Sequence, residues 1–293
     1  MSLVSGSLSK EEAHIIKGLI VGKKYKMTET KPADGYVTAE SIEFTVENTK
    51  EVQKHQMLDD VTKVEISKKD ITNSSEVPGA KLIILDKDGK KVESWTSTDK
   101  PHMVEKLPVG EYTLREEQAP DGYLIAEDVK FTVKDTGKVQ KVKMKDAHPY
   151  GKLVIKKTDS TSKAALPGAE FELREKESGK VVEKLVTDKT GTATSGKIPI
   201  ATYKNGKVEK TVEYILVETK APNGYELSSK KEEIRFEYKD GKTKVIEIVK
   251  EIKNTKSPSG STPTGNSPKT GDSTNIWLPI LLAVLSACGI GGV

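Results

Sequence analysis

The sequence predicts an all-β protein of tandem β-sandwich modules, followed by a C-terminal transmembrane helix. One motif of two tyrosines around a glutamate occurs three times in the 293 residues. Short segments between turn residues alternate apolar and polar side chains, as half-buried strands do. Aromatic residues make up only 5% of the chain, which suits several small cores better than one large core. The only long uncharged apolar run is at the C-terminus.

The repeated motif, here the Tyr–Glu motif, places a glutamate four residues after one tyrosine and seven residues before a second. Its copies read KKYKMTETKPADGYV, EYTLREEQAPDGYL and EYILVETKAPNGYEL, and their glutamates are Glu29, Glu116 and Glu218. In each copy Pro and Gly lie between the glutamate and the second tyrosine, a composition that ends a strand and forms a turn. We call the residues from the glutamate to the second tyrosine the motif turn.

Two other segments flank the second and third motifs at fixed spacing. Upstream, VEISKKD and LVIKKTD each carry a lysine ten residues before the proline of a PGA segment; these are Lys68 and Lys157. Downstream, KVQKVKMKDA reaches Asp146 and KVIEIVKEIKNT reaches Asn254. The constant spacing predicts that each repeat is one independent module.

Strand alternation predicts that each complete repeat buries a lysine, a glutamate and an Asp or Asn on one apolar face. Burial lowers the pKa of lysine and raises that of a carboxyl group, and a neutral amine is a nucleophile. One interpretation is an amide cross-link, formed when the lysine Nζ attacks the Asp or Asn carbonyl carbon while the glutamate polarises that carbonyl and shuttles the proton. A buried salt bridge without covalent chemistry fits the residues equally well.

The first repeat has only the later part of this pattern. It keeps Glu29 and, 30 residues later, Asp59, which is the spacing between Glu116 and Asp146. It has no lysine strand or PGA segment, so we expect an unpaired remnant that forms no bond. The predicted divisions are a partial module, two complete modules, a spacer and a transmembrane segment, at residues 1–60, 61–149, 150–256, 257–275 and 276–293.

Together these segments resemble the CnaB-type, SpaA-like domains of Gram-positive adhesins and pilins, which have a prealbumin-like (transthyretin-like), immunoglobulin-like β-sandwich fold. The resemblance covers about residues 10–256, and the family motif YxLxETxAPxGY is closely matched by the second and third copies. It implies isopeptide bonds from Lys68 to Asp146 and from Lys157 to Asn254. It also implies that Glu116 and Glu218 catalyse them, once per molecule and without enzymatic turnover.

The C-terminal region resembles an LPxTG-type sorting signal. A spacer rich in Ser, Pro, Thr and Gly precedes an apolar run from residue 276 to 293 that is about long enough to enter a bilayer. The resemblance implies that a sortase cleaves after Thr270 and joins the chain to peptidoglycan. Ser267 replaces the usual leucine, and no basic tail follows the apolar run. The candidate sorting motif is Ser267, Pro268, Lys269, Thr270 and Gly271.

Composition argues against several functions. The charges, +4 net, are interleaved without a basic stripe, so we expect no nucleic-acid partner. One cysteine, Cys288, excludes an internal disulfide and cysteine-based zinc sites, and the four scattered histidines predict no metal site or cofactor. We find no catalytic triad or phosphate loop, so an enzyme is not expected.

The expected function is a stalk on the extracellular surface of a Gram-positive bacterium, attached to the cell wall from a membrane-embedded precursor. Two alternatives remain. The chain is a pilin subunit that assembles with other pilin subunits, or a module is an adhesin that binds a host extracellular matrix protein. The third repeat favours the second alternative, because its extra residues around Thr190–Lys210 predict an exposed loop.

Overall fold

The computed structural model describes residues 13–258, and all helical or strand structure in that range is β-strand. The expected all-β fold is therefore confirmed. No helix in the described range is long and apolar enough to cross a membrane. The predicted sorting motif and transmembrane segment lie outside the described residues.

The strands fall into three groups, called modules 1, 2 and 3. Module 1 contains β1 (Lys24–Met27) and β2 (Ile42–Thr45). Module 2 contains β3 (Lys63–Asp70), β4 (Lys81–Asp86), β5 (Lys91–Thr96), β6 (His102–Glu105), β7 (Gly110–Gln118), β8 (Val129–Val133) and β9 (Val139–Asp146). Module 3 contains β10 (Tyr150–Asp159), β11 (Glu170–Glu175), β12 (Val181–Val186), β13 (Thr192–Thr194), β14 (Ile198–Pro199), β15 (Ala201–Lys204), β16 (Lys207–Thr211), β17 (Glu213–Lys220), β18 (Lys231–Arg235) and β19 (Val245–Asn254).

Modules 2 and 3 share one architecture, a sandwich of two sheets. In module 2 the sheet β6-β3-β9 faces the sheet β5-β4-β7-β8. In module 3, β10 pairs with β13, β14 and β19, and the facing sheet has the order β12-β11-β17-β18. Each sandwich encloses its own apolar core, and the two cores share no residue.

The first and last strands of each complete module lie side by side in parallel. In module 2, Lys68 is opposite Met144 and Asp70 is opposite Asp146. Side chains that are opposite each other in a ladder lie on the same face of the sheet. Because Lys68 and Asp146 are two positions out of register, both face the core and lie diagonally adjacent.

The sequence suggested that the extra residues of module 3 form an exposed loop. In the structure they are not a simple loop. They form β13, β14 and a separate two-stranded hairpin, β15–β16. Many side chains of the hairpin are exposed, but Gly206 at its turn is buried and Tyr203 is partly buried. The reason is that the hairpin contacts module 2.

Candidate cross-linking sites

Module 2 brings its three predicted side chains into mutual contact inside the core. Lys68 Nζ lies 2.9 Å from Glu116 Oε2 and also contacts Asp146 Oδ1. Lys68 is 1% exposed, Glu116 is 4% exposed and Asp146 is fully buried. Their neighbours are apolar, because Ile66, Leu114 and Met144 precede them on the same faces of the three strands.

The charges in this site are not balanced, since one lysine faces two carboxyl groups. Burial raises the pKa of Asp146 to about 7; the charge of Lys68 opposes that shift and Glu116 adds to it. Glu116 Oε1 and Asp146 Oδ2 are buried without a hydrogen-bond partner in the described part of the chain. A proton on one carboxyl group would allow the two to hydrogen-bond to each other. The geometry therefore favours a neutral Asp146 carboxyl group beside the lysine.

Module 3 repeats the arrangement with an amide in place of the second carboxyl group. Lys157 Nζ lies 2.9 Å from Glu218 Oε1 and contacts Asn254 Oδ1. Asn254 Nδ2 donates hydrogen bonds to Glu218 Oε1 and to Glu226 O, each at 3.0 Å. One carboxylate oxygen thus contacts both the amine nitrogen and the amide nitrogen. It contacts the amide nitrogen rather than the carbonyl oxygen that the sequence-based mechanism expected it to polarise.

Lys157 has surroundings that favour a neutral amine. Burial lowers the pKa of Lys157, and the hydrogen bond and charge of Glu218 only partly oppose this. The Phe171 ring, whose centre lies 5.5 Å from Nζ, favours the charged amine and so also opposes the shift. A lysine amine without its proton is the form that attacks a carbonyl carbon.

The motif glutamates are held by the backbone in the same way in all three modules. Each accepts a hydrogen bond from the amide ten residues later: Ala39 for Glu29 at 2.7 Å, Ala126 for Glu116 at 2.7 Å and Ser228 for Glu218 at 3.0 Å. The motif turn brings that later amide back to the glutamate. One oxygen is fixed by the backbone, which orients the carboxyl group in the site.

Module 1 places its two predicted residues at equivalent positions but does not join them into a site. The residue after each second motif tyrosine donates its amide to a carbonyl: Val37 to Asp60, Leu124 to Ala147 and Glu226 to Thr255. Asp59 therefore corresponds to Asp146 and Asn254, which each precede such a carbonyl. Asp59 is exposed and Glu29 is half-buried.

The sequence analysis missed a second pair of interacting side chains, formed by the second motif tyrosine and the aspartate that ends the first strand of a module. Tyr123 Oη donates to Asp70 Oδ2 at 2.8 Å. Burial raises the pKa of Asp70, but hydrogen bonds from Thr72, Tyr123 and His148 outweigh it and hold the pKa at about 2. The sequence signal for this pair is that KKD and KTD both end in an aspartate eight residues before the proline of the PGA segment. Within residues 13–258, no group of three or more His, Cys, Asp or Glu side chains is arranged to hold a metal ion.

The fold and the two buried triads define a tandem prealbumin-like β-sandwich protein. A family model described as "SpaA: Prealbumin-like fold domain" matches residues 62–148 and 151–252. These segments make up more than half of the chain, so the chain belongs to this family, and the expected resemblance is confirmed.

Solved structures of similar fold include a Bacillus anthracis protein and two pilins. The Bacillus anthracis TIE protein is 29% identical, with a TM-score of 0.51, and the match covers 80% of this chain and 42% of that one. A Streptococcal ancillary pilin is 17% identical (TM-score 0.31; 82% and 76% covered), and BcpA, the major pilin subunit of Bacillus cereus, is 16% identical (0.28; 67% and 99%). The chain thus spans less than half the length of the TIE protein. No curated protein matches the chain.

Proposed function

We propose that this chain is a structural part of a Gram-positive cell-surface protein, in which modules 2 and 3 are each closed by an intramolecular isopeptide bond. The bonds join Lys68 to Asp146 and Lys157 to Asn254. The observation that carries the proposal is the complete burial of two lysines, each in contact with both a glutamate and an Asp or Asn. A lone buried ion pair is costly and often less stable than an apolar core, whereas a covalent bond removes both charges.

In module 3, the neutral Lys157 amine attacks Cγ of Asn254. The Cγ–Nδ2 bond breaks, and Nδ2 leaves as ammonia with a proton from the lysine. Glu218 Oε1 contacts both nitrogens, so this oxygen can accept the proton from one and pass it to the other. The products are a secondary amide and ammonia, and the glutamate is regenerated.

In module 2, the same attack on Cγ of Asp146 releases water. A protonated carboxyl group loses its hydroxyl, which takes a second proton from the amine through Glu116. The raised pKa of Asp146 keeps the carboxyl group protonated for a substantial fraction of the time near neutral pH. Each site reacts once, so the glutamates serve maturation and not turnover.

The position of the bonds suits a stalk. Each bond joins the first and last strands of a module, and these strands receive a pulling force transmitted along the chain. Loops of 78 and 97 residues are closed, so the unfolded chain also loses much of its freedom. The closure needs no disulfide, in a chain with a single cysteine.

The proposal includes the C-terminal sorting signal, with a sortase and peptidoglycan as partners and the cell wall as the location. Other pilin subunits are the alternative partners, since two of the similar folds belong to pilins. Binding of a host matrix protein is a second alternative. It has weaker support, because Tyr203 on the extra hairpin of module 3 already contacts module 2.

The mass of the intact chain tests the bonds. We expect the mass of the purified chain to be lower than the mass calculated from its sequence by one water and one ammonia. Lys68→Ala should restore only the water and Lys157→Ala only the ammonia, while Lys69→Ala and Lys156→Ala, one residue from each site, should change neither loss. An unshifted mass in the folded protein would refute the cross-links.

Exchanging the acceptor gives a sharper test of the chemistry. In Asn254→Asp, module 3 should lose water instead of ammonia, so the mature variant and the mature wild type should have the same mass. The same variant carrying Lys157→Ala cannot react and should be heavier than the Lys157→Ala single variant by the difference between aspartate and asparagine. If the mature Asn254→Asp chain instead differs from the mature wild type by the mass difference between aspartate and asparagine, the side-chain amide is not lost in module 3.

A further inference from the structure

The hairpin β15–β16 is an insertion at a defined place in module 3. In both complete modules the first motif tyrosine donates its hydroxyl to a proline carbonyl: Tyr112 to Pro108 at 2.8 Å and Tyr214 to Pro199 at 2.6 Å. The two prolines are therefore equivalent. In module 2 the chain proceeds from this proline almost directly into β7, whereas in module 3 the whole hairpin lies between Pro199 and β17.

The hairpin contacts the motif turn of module 2. Tyr203 Oη donates to Gly122 O at 2.8 Å. The Tyr203 ring stacks on His148, with ring centres 3.5 Å apart, and meets Tyr123 edge-on at 5.1 Å. His148 in turn lies 2.9 Å from Asp70 Oδ2, so the stack is anchored to the end of the first strand of module 2.

A second part of module 3 adds to the contact. The segment between β18 and β19 supplies Tyr238, whose hydroxyl donates to Tyr123 O at 3.1 Å, and Gly241, whose carbonyl accepts the Ile125 amide at 2.8 Å. Two segments of module 3 thus contact the backbone at the end of the motif turn and just beyond it.

The joint has an apolar core of its own. Val77, Ala119 and Tyr123 of module 2 are buried there, with Ile125 and Tyr203 packed against them. This cluster is separate from the cores of the two sandwiches. Burial of apolar surface between modules stabilises one arrangement over others.

The motif turn of module 3 provides an internal comparison. It has the same sequence pattern, but Tyr225 is half-buried whereas Tyr123 is fully buried. A Cβ atom added to Gly224 would have no neighbour within 4 Å, whereas one added to Gly122 would lie 2.2 Å from Val208 Cγ2. At the hairpin turn, a Cβ on Gly206 would lie 1.9 Å from Glu76 O. The motif alone therefore does not produce the close approach. It occurs at Gly122 and also at Gly35 of module 1, where a Cβ would lie 2.3 Å from Lys106 O of module 2, but not at Gly224.

We propose that the motif turn of module 2 is an interaction surface whose partner is the β15–β16 hairpin of module 3, and that their contact fixes the two modules in one orientation. The proposal goes beyond the cross-links, which stiffen each module but do not connect one module to the next. A stalk with a fixed joint holds what it carries at a constant distance, whereas flexibly linked modules do not.

The matched variants Gly122→Ala and Gly224→Ala test the proposal in the full chain. Both glycines have positive φ, 87° and 82°, so alanine causes similar backbone strain at both. Only Gly122→Ala also overpacks the hairpin contact. We expect the hydrogen-exchange protection of the Ile125 amide to fall by roughly tenfold in Gly122→Ala, as overpacking of a close contact predicts. Gly224→Ala should leave it unchanged.

A rescue variant separates the contact from local strain. Val208→Ala removes the clashing Cγ2, so Gly122→Ala with Val208→Ala should regain most of the protection. Spin labels at exposed Lys87 and Lys189, in a Cys288→Ser background, should give a narrow distance distribution in wild type and in the rescued chain, and a broad one in Gly122→Ala. Equal protection in the two glycine variants, no rescue by Val208→Ala, or a broad distribution in wild type would overturn the proposal. If Gly122→Ala does not fold, Tyr203→Ala replaces it, with the same broad distribution expected and a narrow one overturning the proposal.

Discussion

Glu218→Gln is expected to leave Lys157 and Asn254 unlinked and to lower the free energy of unfolding of module 3 by roughly 4–5 kcal/mol, the entropy that a cross-link closing a loop of about 100 residues removes from the unfolded chain. Glutamine keeps the size of the side chain and can still accept a hydrogen bond from Lys157. It cannot take up a proton from the amine and deliver it to the leaving nitrogen. The chemistry should stop while the packing is retained.

Two measurements on the same sample check this result. The intact mass should show that the ammonia is retained, and hydrogen exchange of the core amides of β17 and β19 should report the stability of module 3 separately from module 2. Glu213→Gln is the matched control, because Glu213 begins the same strand but lies at the surface, where its ion pairs contribute little. A Glu218→Gln chain that still loses the ammonia would show that the glutamate is not required.

The sequence predicted the two triads because strand geometry constrains them strongly. Successive side chains of a strand alternate between its two faces, so Lys68 lies on the same face as Ile66. Only one face of each strand packs against the core. The family resemblance, in which the reactive lysine lies two residues before the aspartate of the first-strand motif, selects Lys68 over Lys69 and Lys157 over Lys156. The diagonal contact with Asp146 follows from parallel pairing of β3 and β9, which the sequence analysis did not predict. The prediction did not require this pairing, because strand alternation alone places both residues on the inward face.

The joint between modules 2 and 3 could not be predicted in the same way. Tyr203 contacts Gly122 and His148, which belong to another module, and no periodicity relates their positions. The extra length of the third repeat was visible, but length alone does not distinguish a ligand-binding loop from a hairpin that packs on a neighbour. Tyr203 and Val208 flank an Asn-Gly turn, a pattern that is common in β-hairpins and does not indicate what the hairpin contacts. Only the tertiary contacts show what the hairpin covers.

Lys68→Met is expected to destabilise module 2 by more than the loss of its cross-link. The bond from Lys68 to Asp146 cannot form, and Glu116 and Asp146 remain side by side in an apolar core without a cation. Breaking a buried pair by removing one partner typically costs about 3–5 kcal/mol, in addition to the lost cross-link. The charge of Lys68 lowers the pKa of Asp146, so its removal moves this pKa further above its present value of about 7.

The excess destabilisation should depend on pH with a definite sign. The folded-state pKa of Asp146 is raised above the ordinary aspartate value of 3.8, so folding favours the protonated carboxyl group. The free energy of unfolding of Lys68→Met is therefore highest below pH 4 and falls as pH rises through 7 and beyond. The control is Lys68→Met with Glu116→Gln and Asp146→Asn, which lacks the bond but has nothing to titrate at this site. Hydrogen exchange of β3 and β9 amides in both chains, between pH 4 and 8, should show a gap that widens with pH, because other titrating groups contribute equally to both. A constant gap would mean that the two carboxyl groups are solvated and that the triad is not the buried reaction site proposed here.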